Sequence, residues 1–188
     1  MPRPTIAIDI DDVLAVSASR FLEYSNQQWH TSLVLDDYTE HLGKLWGVDR
    51  DECMRRLAQY IADDNFAHLE VAAGAQLALR QLKGSYRLVV LTSRFQSLAD
   101  QTQAWLDQHF MGVFDDVHFS NIWDGSHHAD VAHKLTKADR CLEIGADYLI
   151  DDQPHHCTGA AEVGVQAILF GIATPQQNNE LLGGTIVS

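Results

Sequence analysis

Residues 5–14 read Thr-Ile-Ala-Ile-Asp-Ile-Asp-Asp-Val-Leu, an apolar, β-branched run that breaks into three carboxylates at Asp9, Asp11 and Asp12. Four successive apolar or hydroxyl-bearing positions, without polar alternation, predict a strand buried on both faces, here from Thr5 to Ile10. Four more short runs of this kind follow, Leu88 to Leu91, Val117 to Phe119, Tyr148 to Ile150 and Gln166 to Phe170. Between them lie amphipathic segments that predict helices over Gly74 to Lys83, Ser97 to Phe110, Thr136 to Ile144 and Pro154 to Val163, with Pro154 suited to a first helical turn. Strand and helix in alternation predict an α/β fold in which a parallel sheet is flanked by helices on both faces.

One stretch departs from that rhythm. From Leu14 to Ala73 no strand is expected, and the pattern is helical, with helices such as Ser17 to Trp29 and Asp49 to Ile61 and many aromatic residues. A helical insertion after the first strand accounts for it, and it would lie over the carboxyl ends of the strands, where open α/β sheets bind ligands.

The whole chain is 188 residues with 46% hydrophobic content, enough for one domain with a sizeable core. Thirteen Lys and Arg against 26 Asp and Glu leave a net charge of −13. That surface repels the phosphates of polymeric nucleic acid and of anionic membranes, but tolerates a small anion screened by a metal. No run approaches about 18 apolar residues, and the N-terminus meets charge before a signal-peptide core forms, so a cytoplasmic protein is expected. Cys53, Cys141 and Cys157 are too few and scattered for a disulfide framework and are read as reduced thiols.

Asp-Asp occurs five times, beginning at Asp11, Asp36, Asp63, Asp115 and Asp151, so the pair alone says little. Context separates them, because Asp9, Asp11 and Asp12 end one strand and Asp151 and Asp152 end another. Side chains alternate along a strand, so Asp9 and Asp11 point the same way and Asp12 elsewhere. If the two strands are neighbours, four carboxylates share one crevice, which requires a cation. An all-oxygen set favours Mg²⁺. Thr92-Ser93-Arg94 ends a third strand before a helix, where hydroxyls and free N–H groups suit an anion; a helix cap formed by Ser93 with Gln96 or Ser97 with Asp100 is the competing reading. Lys137 stands in the first turn of a helix behind a capping box, Thr136 to Asp139, a place that asks for a compensating anion. Lys134 is its rival.

Taken in order, Asp9-Ile-Asp11-Asp12-Val-Leu, Leu91-Thr92-Ser93, Lys137 and Leu149-Ile-Asp151-Asp152 resemble the four motifs of the haloacid dehalogenase (HAD) superfamily of phosphohydrolases. The resemblance covers a Rossmann-like core from Pro4 to about Phe170, and is nearest to the 5′-nucleotidase group that includes the 5′(3′)-deoxyribonucleotidases. It implies a core of residues 1–13 and 74–188 with a small helical type 1 cap at 14–73. It also implies that the first and fourth motif strands lie side by side.

The resemblance further implies roles. Asp9 is the nucleophile, forming an aspartyl-phosphate, and Asp11 the general acid and base. The dehalogenase branch lacks that second aspartate and the transport ATPases carry threonine there, so phosphoester hydrolysis is favoured. Mg²⁺ would be held by Asp9, the main-chain carbonyl of Asp11, and a carboxylate of Asp151 or Asp152, with Asp152 favoured. Thr92, Ser93 and Lys137 would bind the phosphoryl oxygens of a small phosphorylated substrate, a nucleoside monophosphate by resemblance. A non-nucleotide ester such as a sugar phosphate, or a silent binding protein on the same scaffold, are the alternatives.

In the insertion, Phe21, Tyr24, Trp29, Tyr38, Trp46 and Tyr60 offer rings to stack on a base, although aromatic residues at helical spacing more often form core. The histidines His127, His128 and His133, and the pair His155 and His156, invite a metal reading. Adjacent histidines on a helix project apart and no Cys or Glu completes a zinc set by spacing, so they are read as surface or loop residues. His155 and His156 stand close enough to the fourth motif to affect its proton affinities. No chemistry is assigned to Thr174 to Ser188.

Overall fold

The computed structural model describes residues 2–120 and 136–171. Thr5–Ile8 forms β1, buried at every position. It pairs in parallel with β4 (Arg87–Thr92) on one side and β6 (Tyr148–Asp151) on the other, so that Ile6 lies opposite both Leu88 and Tyr148. Adding β5 (Asp116–Phe119) and β7 (Gln166–Leu169) completes a five-stranded parallel sheet of order β5-β4-β1-β6-β7. Parallel neighbours require crossovers, and helices α4 (Ala75–Leu82), α5 (Ala99–Phe110), α6 (Lys137–Ile144) and α7 (Pro154–Glu162) lie between the successive core strands.

The period of two then divides the core. Ile6, Ile8, Leu88 and Val90 face one side and pack with Leu79 of α4 and Trp105, Leu106 and Phe110 of α5. Ala7, Val89, Leu91 and Leu149 face the other and pack with Cys141 of α6 and Ala160 of α7. Small residues at Ala7 and Ala160 let α7 sit close to the sheet. The chain moves outward from β1 to β4 and β5, and then returns to place β6 on the opposite side of β1. The topological switch therefore falls between β1 and β6, the position at which such sheets bind ligands.

Between β1 and α4, the helices α1 (Ala18–Trp29), α2 (Leu42–Trp46) and α3 (Arg50–Ala62) fill the expected helical stretch. The expectation of no strand there is corrected: Ala15–Val16 (β2) and Glu70–Val71 (β3) form a short antiparallel ribbon at the entry and exit of the insertion. Two-residue strands leave no periodicity to read, and only their cross-chain pairing reveals them. The N-terminus of α1 is satisfied from outside the helix, since the Asp12 carboxylate accepts from the Ser17 and Ala18 amides at 3.0 and 3.1 Å. Asp12 adopts a left-handed backbone, φ 58°, and, against the expectation that it faces elsewhere, it lines the strand-end crevice together with Asp9 and Asp11.

The aromatic residues of the insertion are mostly core. Phe21, Tyr24, Trp46 and Tyr60 are buried. Phe21 stacks on Trp46 with centroids 5.2 Å apart and meets the edge of Tyr60 at 4.9 Å. Trp29 packs against Trp46 at 5.0 Å beneath the Arg56 guanidinium. This cluster is continuous with the Ile6 and Ile8 face of the sheet. Neither Ser93 nor Ser97 caps α5, which begins at Ala99 after a 3-10 turn over Gln96–Leu98. No helix among the described residues is long and apolar enough to cross a membrane.

Trp105 joins the returning end of the insertion to the sheet: it is 1% exposed and its indole N–H donates to the Leu69 carbonyl at 2.9 Å. Trp105→Phe keeps most of the apolar contact and leaves that carbonyl without its donor. A loss of about 1–3 kcal/mol is expected in urea denaturation, with the slope unchanged.

Candidate active site

The crevice at the switch point is organised by one lysine. Thr136 caps α6 through a complete capping box with Asp139, as expected, and this fixes Lys137 in the first helical turn. An ammonium there opposes the helix dipole and is 1% exposed, so it requires anions. It finds Asp9 Oδ2 at 2.8 Å, from the end of β1, and Asp151 Oδ2 at 2.6 Å, from the end of β6. The Asp9 amide also donates to the Ile150 carbonyl at 2.9 Å, which extends the pairing of the two strands past β1.

Asp152 joins them: one carboxylate oxygen each from Asp9, Asp151 and Asp152 lies within 4.8 Å of the others. Three carboxylates against one ammonium leave the cluster negative if all ionise. Burial pushes the Asp9 carboxyl up to about 7, Lys137 pulling it down and Asp151 adding to the rise. Asp152 is raised to about 9 by burial and by Asp9 and Asp151. For Lys137 burial acts the other way, but Asp151 and Asp9 outweigh it and hold the ammonium above its ordinary range. Like charges in one buried space are relieved by a cation. Asp9 Oδ1 is buried and has no hydrogen-bond partner, and the donors are all oxygen, so the residues fit a hard divalent ion such as Mg²⁺.

The pair that ends β6 divides its work. Asp151 is fully buried, and both its oxygens are engaged, Oδ2 by Lys137 and Oδ1 by the Gln153 amide at 2.9 Å. Asp152 lines the crevice and accepts from the Gln153 side chain at 2.6 Å. Of the strand-end hydroxyls, Ser93 lines the crevice with its Oγ buried and without a partner, while Thr92 does not reach it. The Thr92 hydroxyl accepts instead from the Arg94 amide at 3.2 Å. Lys137 likewise lies behind the carboxylates rather than on the crevice wall.

Asp11 lines the crevice beside Asp9 and is gripped by Arg94, whose Nε and Nη2 donate to its two oxygens at 2.9 and 2.8 Å. The guanidinium is fully buried, lies 4.7 Å from the Phe66 ring centre and reaches the Thr102 hydroxyl at 3.3 Å. This partner is missing from the sequence reading, in which Arg94 appears only as the end of a strand motif. Nothing local marks an arginine as buried, and the carboxylate that it meets is 83 positions away.

The insertion supplies the remaining wall through Tyr38 and Glu40. Tyr38 is the only one of the six candidate aromatic residues that lines the crevice. With these side chains in place, the free interior has room for about one water molecule. A larger hollow between α5 and β5 is lined by Asp100, Asp107, Asp115 and Asp116 and brings no cation or nucleophile to an anion.

The surface reading of the last histidine pair holds for His155, which is exposed, and is corrected for His156. His156 is buried, its proton affinity pushed down to about 2 by burial, with Lys137 and His155 adding to the fall. The rings of His155 and His156 do not diverge but sit 4.0 Å apart, and a carboxylate does accompany them, because folding brings Glu40 to both. Lys134, His127, His128, His133 and Thr174 to Ser188 lie outside the described residues.

Residues 3–181 match the family model described as 5′ nucleotidase, deoxy (pyrimidine), cytosolic type C protein. The chain is 27% identical over 170 residues to "Putative nucleotidase YqfW" of Bacillus subtilis, covering 88% of this chain and 79% of that protein. The relatives are longer: the chain spans 63% of one that it matches, an uncharacterised protein of bacteriophage T4. Its fold is similar to that of a haloacid dehalogenase-like hydrolase of Streptococcus pneumoniae, with TM-score 0.69 at 17% identity over 96% of this chain and 90% of that one. It is also similar to a HAD family enzyme of Bacteroides thetaiotaomicron solved with magnesium and inorganic phosphate, with TM-score 0.50 at 14% identity over 90% and 94% of the two chains. With its parallel sheet and strand-end carboxylates, the chain belongs to the 5′ nucleotidase, deoxy (pyrimidine), cytosolic type C family.

Proposed function

We propose that this protein is a Mg²⁺-dependent phosphatase of nucleoside monophosphates, working through a phosphoryl-aspartate on Asp9. The observation that carries this reading is the pair of buried oxygens without partners, Asp9 Oδ1 and Ser93 Oγ, on the wall of one crevice. Buried polar atoms are usually satisfied, and although five others among the described residues also lack a partner, these two belong to residues that line one crevice, which supports ligand atoms there.

In this proposal an Asp9 oxygen attacks phosphorus and the bond from phosphorus to the ester oxygen breaks, its electron pair leaving with that oxygen. Asp11 gives a proton to the departing alcohol. Water then attacks the phosphoryl-aspartate, Asp11 takes its proton, and phosphate departs as the Asp9 carboxylate is restored. Arg94 is a positioning residue: its two parallel bonds fix the Asp11 carboxylate at the crevice edge. Ser93 would donate to a phosphoryl oxygen. Lys137 holds Asp9 and Asp151 in place from behind, with one ammonium proton still to give. Thr92 supports this wall by accepting from the backbone at Arg94. Asp9, Asp152 and the main-chain carbonyl of Asp11 would hold Mg²⁺, which would supply neutralisation of the carboxylate and phosphate charges.

We assign residues 14–73 as the cap and 1–13 with 74–188 as the core. Room for about one water cannot admit a nucleotide, so the Tyr38 to Glu40 segment moves aside for substrate entry and covers the site during chemistry. Tyr38 is then placed to meet the leaving nucleoside. The family match supports a nucleotide over other esters.

Phosphate release from nucleoside 5′- and 3′-monophosphates, sugar phosphates and p-nitrophenyl phosphate tests this reading. Turnover is expected with Mg²⁺, to cease with EDTA, and to favour nucleotides; Mg²⁺-dependent turnover concentrated on sugar phosphates would reject the substrate, and EDTA-resistant turnover the metal. Asp11→Asn is expected to lower the rate on an alkyl phosphate by about 100-fold or more and to spare p-nitrophenyl phosphate relatively, since nitrophenolate leaves without a proton. Equal losses on both would contradict the acid role.

A further inference from the structure

At the mouth of the crevice, three groups outside the carboxylate set converge from two distant parts of the chain. Glu40 stands just before α2, and His155 and His156 lie in the first turn of α7. One oxygen of Glu40 and one ring nitrogen of each histidine lie within 4.8 Å of one another.

A simple ion pair accounts poorly for this arrangement. Glu40 Oε2 and His155 Nε2 are 3.6 Å apart, beyond hydrogen-bond distance. His156 is only 8% exposed. Its ring is tilted by 46° to that of His155 at 4.0 Å, instead of turning away. One carboxylate oxygen and two ring nitrogens thus share one small volume, the arrangement that a metal ion accepting all three electron pairs would use.

We infer that Glu40, His155 and His156 form a second metal site, for a Zn²⁺-class first-row transition ion. Donor chemistry separates it from the carboxylate cluster. Two imidazoles and one carboxylate suit Zn²⁺ or Co²⁺, while the all-oxygen set at Asp9 and Asp152 suits Mg²⁺. Three protein ligands leave a coordination position for water. The two sides of the site belong to different parts of the fold, Glu40 to the insertion and the histidines to a helix packed on the sheet. A bound ion therefore ties the insertion to the core across the crevice mouth and holds it closed. This inference rests on donor geometry and goes beyond the phosphatase reading without needing it.

The test is a Co²⁺ titration of the full chain followed by visible absorption, with excess Mg²⁺ present throughout. Wild type is expected to bind one equivalent with nitrogen ligation, displaced by Zn²⁺. His155→Ala, whose side chain is 53% exposed and dispensable for folding, and Glu40→Gln are each expected to weaken binding by at least about 10-fold, and to abolish a Zn²⁺-induced rise in Tm. Asp9→Asn retains the equivalent, because its carboxylate belongs to the other cluster. Co²⁺ affinity unchanged in His155→Ala and Glu40→Gln, or lost in Asp9→Asn instead, would overturn the assignment and locate the ion at the carboxylates.

Discussion

The buried Lys137 ammonium between Asp9 and Asp151 ties the structure to its chemistry. Those carboxylates end adjacent parallel strands, and like charges there would drive the strand ends apart or take up protons. The lysine bridges them at 2.8 and 2.6 Å, and the helix that carries it is anchored by the Thr136 capping box. Removing one partner from a buried charge set typically costs about 3–5 kcal/mol, because the remaining charges lose their compensation. The same bridge leaves Asp9 Oδ1 with no hydrogen bond, so the element that stabilises the sheet end also leaves one carboxylate oxygen available to a ligand.

Around this centre, the insertion is bound to the sheet more closely than its place in the chain suggests. Its aromatic residues share one apolar cluster with the face formed by Ile6, Ile8 and Trp105, and Asp12, next to the candidate acid Asp11, caps its first helix. Arg94 extends the coupling, touching Asp11, the Phe66 ring and Thr102 from a fully buried position. The half-buried segment of Tyr38 and Glu40 lies at the crevice mouth, and Tyr38 packs edge-on to Phe21 of the same cluster at 6.5 Å.

What the sequence discloses divides along the range of the forces involved. Strands β1 and β4 are legible because burial on both faces writes apolar runs, β6 and the partly exposed edge strands β5 and β7 as shorter apolar or β-branched runs, and the carboxylates that end β1 and β6 are visible as abrupt breaks. The capping box at Thr136 is legible because it is local. The β2 and β3 ribbon is not, since two residues carry no period. Arg94, Glu40 and the burial of His156 are hidden for a different reason: their meaning lies in partners reached across the fold, and an arginine, glutamate or histidine in isolation reads as solvated surface. The aromatic residues of the insertion show the limit of composition, because the same rings suit a core or a base, and packing chose the core for Phe21, Tyr24, Trp46 and Tyr60.

The proposed role of Asp9 as the nucleophile at phosphorus is addressed directly by rapid acid quenching of the working enzyme with substrate and Mg²⁺, followed by peptide mass analysis. It predicts a phosphoryl adduct on the peptide that contains Asp9, absent from Asp9→Asn. Full turnover with no adduct, together with an active Asp9→Asn enzyme, would contradict it and point to direct attack by water.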